Sequence, residues 1–230
     1  MTTTPDVSSP TLSSLDEATR ELVVVAALVA AGSESEVRAA LTRAHAIVPH
    51  QWIEELLLQT YLFAGFPRAL NSLREWRRLV PTPAATEADT VTGDWRAAGE
   101  ATCRRVYGRM YDKLRENIAA LQPAIDDWMI VEGYGKVLSR PGLDLGRREL
   151  CVVAACVASG QERQLHSHLH GALNVGVPAA VVGKAIEALR SVVVGSSIDR
   201  AQMLFARVTG NVERKRGDEG AATAGRRTVK

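Results

Sequence analysis

From Leu15 to about Val80 the apolar positions recur at helical rather than strand spacing. Arg20 to Ala31 supplies an apolar helix body, with Ser14 or Asp16 as its cap. Gly32 and Ser33 break it, and Ser35 or Glu36 starts the next helix. Pro49 marks a third start, followed by Trp52, Ile53, Leu56, Leu57 and Tyr61 at helical spacing. Residues 81–93 (PTPAATEADTVTG) have linker composition. A long helical region follows from about Asp94 to Val131, with Pro123 as a candidate break. From Tyr134 to Leu143 the Pro and Gly residues predict a turn before a further helix. Residues 1–14 read as a disordered leader and 209–230 as a disordered basic tail. The pattern predicts an all-α fold.

The pattern also repeats. Leu15 to Gly32 (LDEATRELVVVAALVAAG) aligns with Leu143 to Gly160 (LDLGRRELCVVAACVASG) at a displacement of 128 residues. Arg20-Glu21 then falls on Arg148-Glu149, and Gly32 on Gly160. With one extra residue, Val48-Pro49 falls on Val177-Pro178. Similar composition alone does not reproduce a Leu-Asp cap, an Arg-Glu pair, a Gly stop and a Val-Pro start in the same order. The chain is an internal duplication, with a first repeat at 15–80 and a second at 94–208.

Composition narrows the function classes. Of 230 residues, 46% are hydrophobic and 23% charged, an ordinary globular balance with enough chain to bury a core. A formal charge of +2 gives no steering toward nucleic acid or membrane, and much of the basicity lies in the tail. No stretch reaches the ~18 apolar residues of a spanning helix. The N-terminus does not read as a secretory signal, and Cys103, Cys151 and Cys156 form no disulfide ladder, so the cytoplasm is the expected location.

The second half carries a specific resemblance. The run YGKVLSRPGLDLGRREL, then ASGQERQLHSHLHGALNVGV, resembles the carboxymuconolactone decarboxylase family. The shared features are Gly135 to Leu143, an apolar helix, His168, and Asn174-Val-Gly176 six residues later. In the first half, Phe63-Ala-Gly-Phe-Pro-Arg-Ala-Leu70 is similar to the family's Ala-Gly-x-Pro-x-Ala segment. The resemblance implies an alkylhydroperoxidase D-like helical bundle in two tandem repeats. Peroxidase relatives carry Glu, Cys-x-x-Cys and His; here those columns hold Glu149, Gln161, Gln164 and His168. Peroxide reduction needs a thiolate and a resolving thiol, and Gln offers neither. Cys151 and Cys156 do not substitute, since they lie about 140° apart around one helix.

The family's decarboxylation uses no metal or organic cofactor, because the substrate is its own electron sink. The resemblance therefore implies a small anionic unsaturated lactone or acid as substrate, with His168 exchanging the proton. Glu149 could orient His168 or pair with Arg147 or Arg148. Arg140, fixed in direction by the following Pro141, either binds a carboxylate or pins its loop. Gln164 stands where decarboxylases often carry Glu, Asn174 is a helix-end cap or a substrate contact, and Tyr134 is core or a pocket wall. In the first repeat the His column holds Ala40, so one composite pocket is expected, with Phe66, Pro67 and Arg68 beside His168. His166 and His170 share the face opposite His168, which argues against a zinc site. Relatives form rings of single-repeat subunits, so a homo-oligomer is expected, a pseudo-sixfold trimer or a dimer. The competing expectation is a duplicated scaffold that binds a ligand without turning it over.

Overall fold

In chain order the helices are α1 (Glu17–Ala31), α2 (Glu34–His45), α3 (His50–Leu79), α4 (Trp95–Tyr107), α5 (Tyr111–Leu121) and α6 (Pro123–Trp128). A π-helical segment (Met129–Leu138) follows, then α7 (Leu145–Ser159), α8 (Glu162–Asn174), α9 (Ala179–Ala188) and α10 (Gly195–Gly225). The structure, a computed structural model, describes residues 12–82 and 93–225, and of residues 211–225 the backbone alone. Among the described residues there is no strand. Most of the expected linker and leader lies outside that range, but Leu12, placed in the leader, is buried in the core. Helical backbone continues in α10 past residue 208, where the sequence predicted a disordered tail.

The duplication is visible in the helix ends. Both ends of α7 are displaced from those of α1 by the 128 residues of the sequence repeat. Asp16 Oδ1 accepts from the Thr19 amide at 2.7 Å, and Asp144 caps α7 through the Arg147 amide at 3.0 Å. Each satisfies an amide that the first helical turn leaves unpaired. Ser33, rather than Ser35 or Glu36, caps α2, and Glu36 closes a capping box on it.

Helices α1 and α7 are apolar around almost their whole circumference, so each must be covered on all sides. Leu22 to Ala30 and Leu150 to Val157 are buried without interruption. The two helices pack against each other at the centre of the fold, and their partners are reciprocal: α3 reaches α7 and α9 reaches α1. The result is an approximate twofold relation between repeats. Arg147 occupies the crossing point. Its guanidinium donates to Thr19 Oγ1 at 2.8 Å, to Asp144 at 2.6 Å and to Asp16 at 3.0 Å, and stacks 4.1 Å above the Trp52 ring. Thr19 is the repeat equivalent of Arg147, so one side chain ties both helix caps together.

Two departures from helical regularity position the site. In α3, Gly65 has φ +81°, and Pro67 has no amide for the Phe63 carbonyl, so the helix kinks between Phe63 and Arg68. The π-helical segment holds Tyr134 to Leu138, which the sequence predicted as a turn; the turn comes later, at Ser139 to Leu143, around Gly142 at φ +95°. Gly99 and Gly135 let α4 meet this segment backbone to backbone. A Cβ on Gly99 would overlap the Ile130 carbonyl, and one on Gly135 the Trp95 carbonyl.

Candidate functional site

Glu149 stands in the second turn of α7 and His168 in the middle of α8, both facing the seam between these helices. His168 Nδ1 lies 2.9 Å from Glu149 Oε2, with Glu149 fully buried and His168 5% exposed. A carboxylate only accepts, so the imidazole donates from Nδ1. That leaves Nε2 as the nitrogen able to exchange a proton. Gly171, one turn beyond His168, makes the approach possible: a Cβ there would collide with Glu149 Oε2 and crowd Val106. Glu149 Oε1 is buried with no hydrogen-bond partner among the described residues. Glu149 thus pairs with His168, not with Arg147 or Arg148.

The Phe63 ring meets the imidazole edge to face, with centroids 5.6 Å apart. The first repeat therefore does contribute to this site, but through Phe63 rather than Phe66. Phe66 lies beyond the kink, 64% exposed, stacked on Tyr61 at 4.8 Å. Arg68 donates to the Val29 and Gly32 carbonyls at 3.2 and 2.9 Å, capping the end of α1. The Phe63 signal is present in the sequence, but only the break at Gly65 decides which aromatic turns inward.

Around Glu149 lie four weak acids that feel its charge: Cys103, Cys156, Tyr107 and Tyr134. Burial pushes the Cys103 and Cys156 thiols up to about 12. It raises the Tyr107 and Tyr134 phenols far above their ordinary range and the Cys151 thiol likewise. The rings of Tyr107 and Tyr134 meet edge to face at 6.2 Å. All five groups stay protonated near neutral pH, and Tyr134 is buried in the core. The three thiols are buried, and Gln161 and Gln164 in the cysteine columns are exposed.

The remaining candidates are committed elsewhere. Arg140 forks onto Glu55, with three contacts of 3.0 to 3.1 Å. Arg148, fully buried, donates to Glu55 at 2.8 Å, Gln59 at 3.1 Å and the Leu143 carbonyl at 3.0 Å. This Arg140–Glu55–Arg148 triad pins the Ser-Arg-Pro-Gly-Leu turn to α3, so the loop-pinning alternative for Arg140 describes its observed contacts. Glu55 is not among the residues the sequence singles out, although a lone acid among Ile53, Leu56 and Leu57 is the available signal. Gln164 is exposed on α8. Asn174 donates to the Val106 carbonyl at 2.8 Å, strapping α8 to α4. His166 and His170 sit ring to ring at 4.9 Å on the other face of α8. Among the described residues no three His, Cys, Asp or Glu side chains group as metal ligands would.

The first repeat shows the same seam without its imidazole. Glu21 stands where Glu149 does, Ala40 where His168 does. Ala40 is fully buried, and the Glu21 carboxylate leans 3.7 Å from Arg43 with one oxygen unpartnered. Two surface grooves mark the repeats, one beside α8 and one beside α2, and neither is lined by His168 or Glu149.

The profile of the carboxymuconolactone decarboxylase family matches residues 7–78 and 127–206, one segment per repeat. The chain belongs to the carboxymuconolactone decarboxylase family. The second segment begins after α4 and α5, so these helices, with Tyr107 and Cys103, lie outside the family match. Peroxisomal protein 2 of Schizosaccharomyces pombe is 30% identical over 131 residues, covering 54% of this chain and 60% of that protein. As a carboxymuconolactone decarboxylase family member the chain is all-α, and no helix among its described residues is long and apolar enough to cross a membrane.

Proposed function

We propose that this chain is a cofactor-independent lyase of the carboxymuconolactone decarboxylase type, in which the Glu149–His168 pair transfers the proton. The supporting observation is the state of Glu149: fully buried, one oxygen on the imidazole and the other without a partner among the described residues. Leaving a buried acceptor unpaired costs about 1–3 kcal/mol. Glu55, by contrast, has both oxygens satisfied by two arginines. Groups that give up stability in this way gather at working sites.

The substrate is a small unsaturated lactone or acid bearing a carboxylate. The carbon–carbon bond to that carboxylate breaks and CO2 leaves. The bond's electron pair passes through the adjacent double bond onto the lactone carbonyl. Protonated His168 then delivers the Nε2 proton to carbon, and the ring regains a proton from water. Glu149, on Nδ1, fixes the tautomer and offsets the positive charge on the ring. Phe63 packs against the imidazole and covers one side of it. Copies of the chain associate, as the resemblance implies; Leu121, Ile125 and Trp128, 86%, 49% and 58% exposed, offer an apolar face for it.

The test is loss of lactone absorbance with purified protein, beside His168→Ala. Turnover that falls at least 100-fold in the variant, with folding intact, supports the proposal. Equal turnover in both removes His168 from the chemistry. Saturable binding without turnover in the native chain assigns it instead to ligand binding, the reading favoured by two grooves that neither His168 nor Glu149 lines.

A further inference from the structure

Helix α8 works on two faces. One carries His168 to Glu149; the other, bearing Arg163 and His166, lines a groove of 530 Å³ against α10 and the end of α7. Its floor is apolar: Cys156, Val157, Leu165, Ala201 and Leu204. Its rim is cationic, with Arg163, Arg200 and Arg207 against the single carboxylate of Glu162. Arg200 and Glu162 stand 3.5 Å apart, both about half exposed or more, an attraction of little strength in water. The guanidiniums of Arg163 and Arg207 have no ion pair or hydrogen bond among the described residues, so two planar cations face the groove uncommitted.

The first repeat supplies an internal comparison. Its groove, 350 Å³, uses the equivalent positions Val29, Gly32, Glu34 and Val37 where the second has Val157, Gly160, Glu162 and Leu165. There Arg68 fills the end of the groove by bonding to α1 carbonyls, and Glu75 pairs with Arg38 and Arg78. In the second repeat Ser197 replaces Arg68 and Leu204 replaces Glu75. The same two substitutions that empty this groove also remove its buried acid. One copy of a duplicated surface is plugged and internally neutralised; the other is open, apolar at the bottom and positive at the lip.

We infer that the α8–α10 groove binds an organic carboxylate with an apolar body, at a site separate from the Glu149–His168 pair. The hydrocarbon lies on Leu165, Ala201 and Leu204. The carboxylate takes Arg163 and Arg207, whose planar forks match its two oxygens. The volume falls in the range of small-molecule sites, and an apolar floor with few charged groups is their usual make-up.

The experiment titrates the full chain with 4-phenylbutyrate and with 4-phenylbutanol, followed by calorimetry. The expected result is saturable one-site binding of the acid, at least tenfold tighter than the alcohol. In Arg163→Gln/Arg207→Gln the acid weakens at least tenfold, whereas the charge-matched surface pair Arg105→Gln/Lys113→Gln binds within twofold of the native chain. Melting temperature checks that each variant is folded. No saturable binding, equal binding of acid and alcohol, or undiminished binding in Arg163→Gln/Arg207→Gln overturns the inference. So does gel filtration in which that variant alone dissociates an assembly, since the groove would then hold a second copy of the chain.

Discussion

Glu149 sits 2.9 Å from His168 only because residue 171 is glycine. Gly171→Ala forces the carboxylate aside or α8 outward, and overpacking of this kind costs about 1–3 kcal/mol. Urea unfolding should show that loss, and lactone turnover should fall with it. Glu55 presents the opposite case. It is 1% exposed and pairs with two arginines, so Glu55→Ala leaves the fully buried Arg148 charge without its carboxylate, at a cost of about 3–5 kcal/mol by the same measurement. The thiols give a third expectation. Burial holds Cys103 and Cys156 at about 12 and Cys151 higher still, and all three are buried. A disulfide reagent at pH 8 should therefore leave the folded chain unmodified and titrate three thiols after denaturation. At this scale the sequence singles out His168 and Glu149, because their spacing belongs to a motif, but leaves Glu149 open between His168 and the neighbouring arginines. It misplaces Arg68 and leaves Arg140 open between two roles, because a guanidinium's partner is set by helices far away in the chain.

Elements are legible wherever a local signal ends them. Asp16, Ser33, Asp144 and Gly160 mark helix ends through caps and a left-handed turn that short-range chemistry dictates. The π-helical segment is not legible. Its Gly-rich run Gly133 to Gly135 suggests a turn, yet Gly135 serves tight packing against α4. Gly135→Ala should separate the two elements and move Tyr134 from its contact with Tyr107; loss of the native near-ultraviolet signal with helicity retained is the expected outcome. The kink in α3 follows the same logic. Gly65 and Pro67 announce a break, but not that it turns Phe63 inward to the imidazole and leaves Phe66 outside.

Across the whole molecule the repeat predicts two related halves, and the structure joins them along α1 and α7 through Arg147. Asp16, one of its partners, is raised by partial burial but lowered further by Thr19 and Arg147, so its carboxyl titrates below its ordinary value of 3.8. The stability it lends is complete above the ordinary carboxylate range and is lost as pH falls through the lowered value. Asp16→Asn should flatten the acid limb of the unfolding profile. Divergence then gave the halves different roles, the second keeping the imidazole and the first supplying the ring that shields it. The proposed chemistry requires Glu149 to hold the proton of His168 on Nδ1 and leave Nε2 free to act. Nitrogen-15 correlation spectra of the His168 ring at neutral pH measure this directly. The structure predicts the Nδ1-protonated tautomer, lost in Glu149→Gln; a proton resident on Nε2 of the native neutral ring contradicts it.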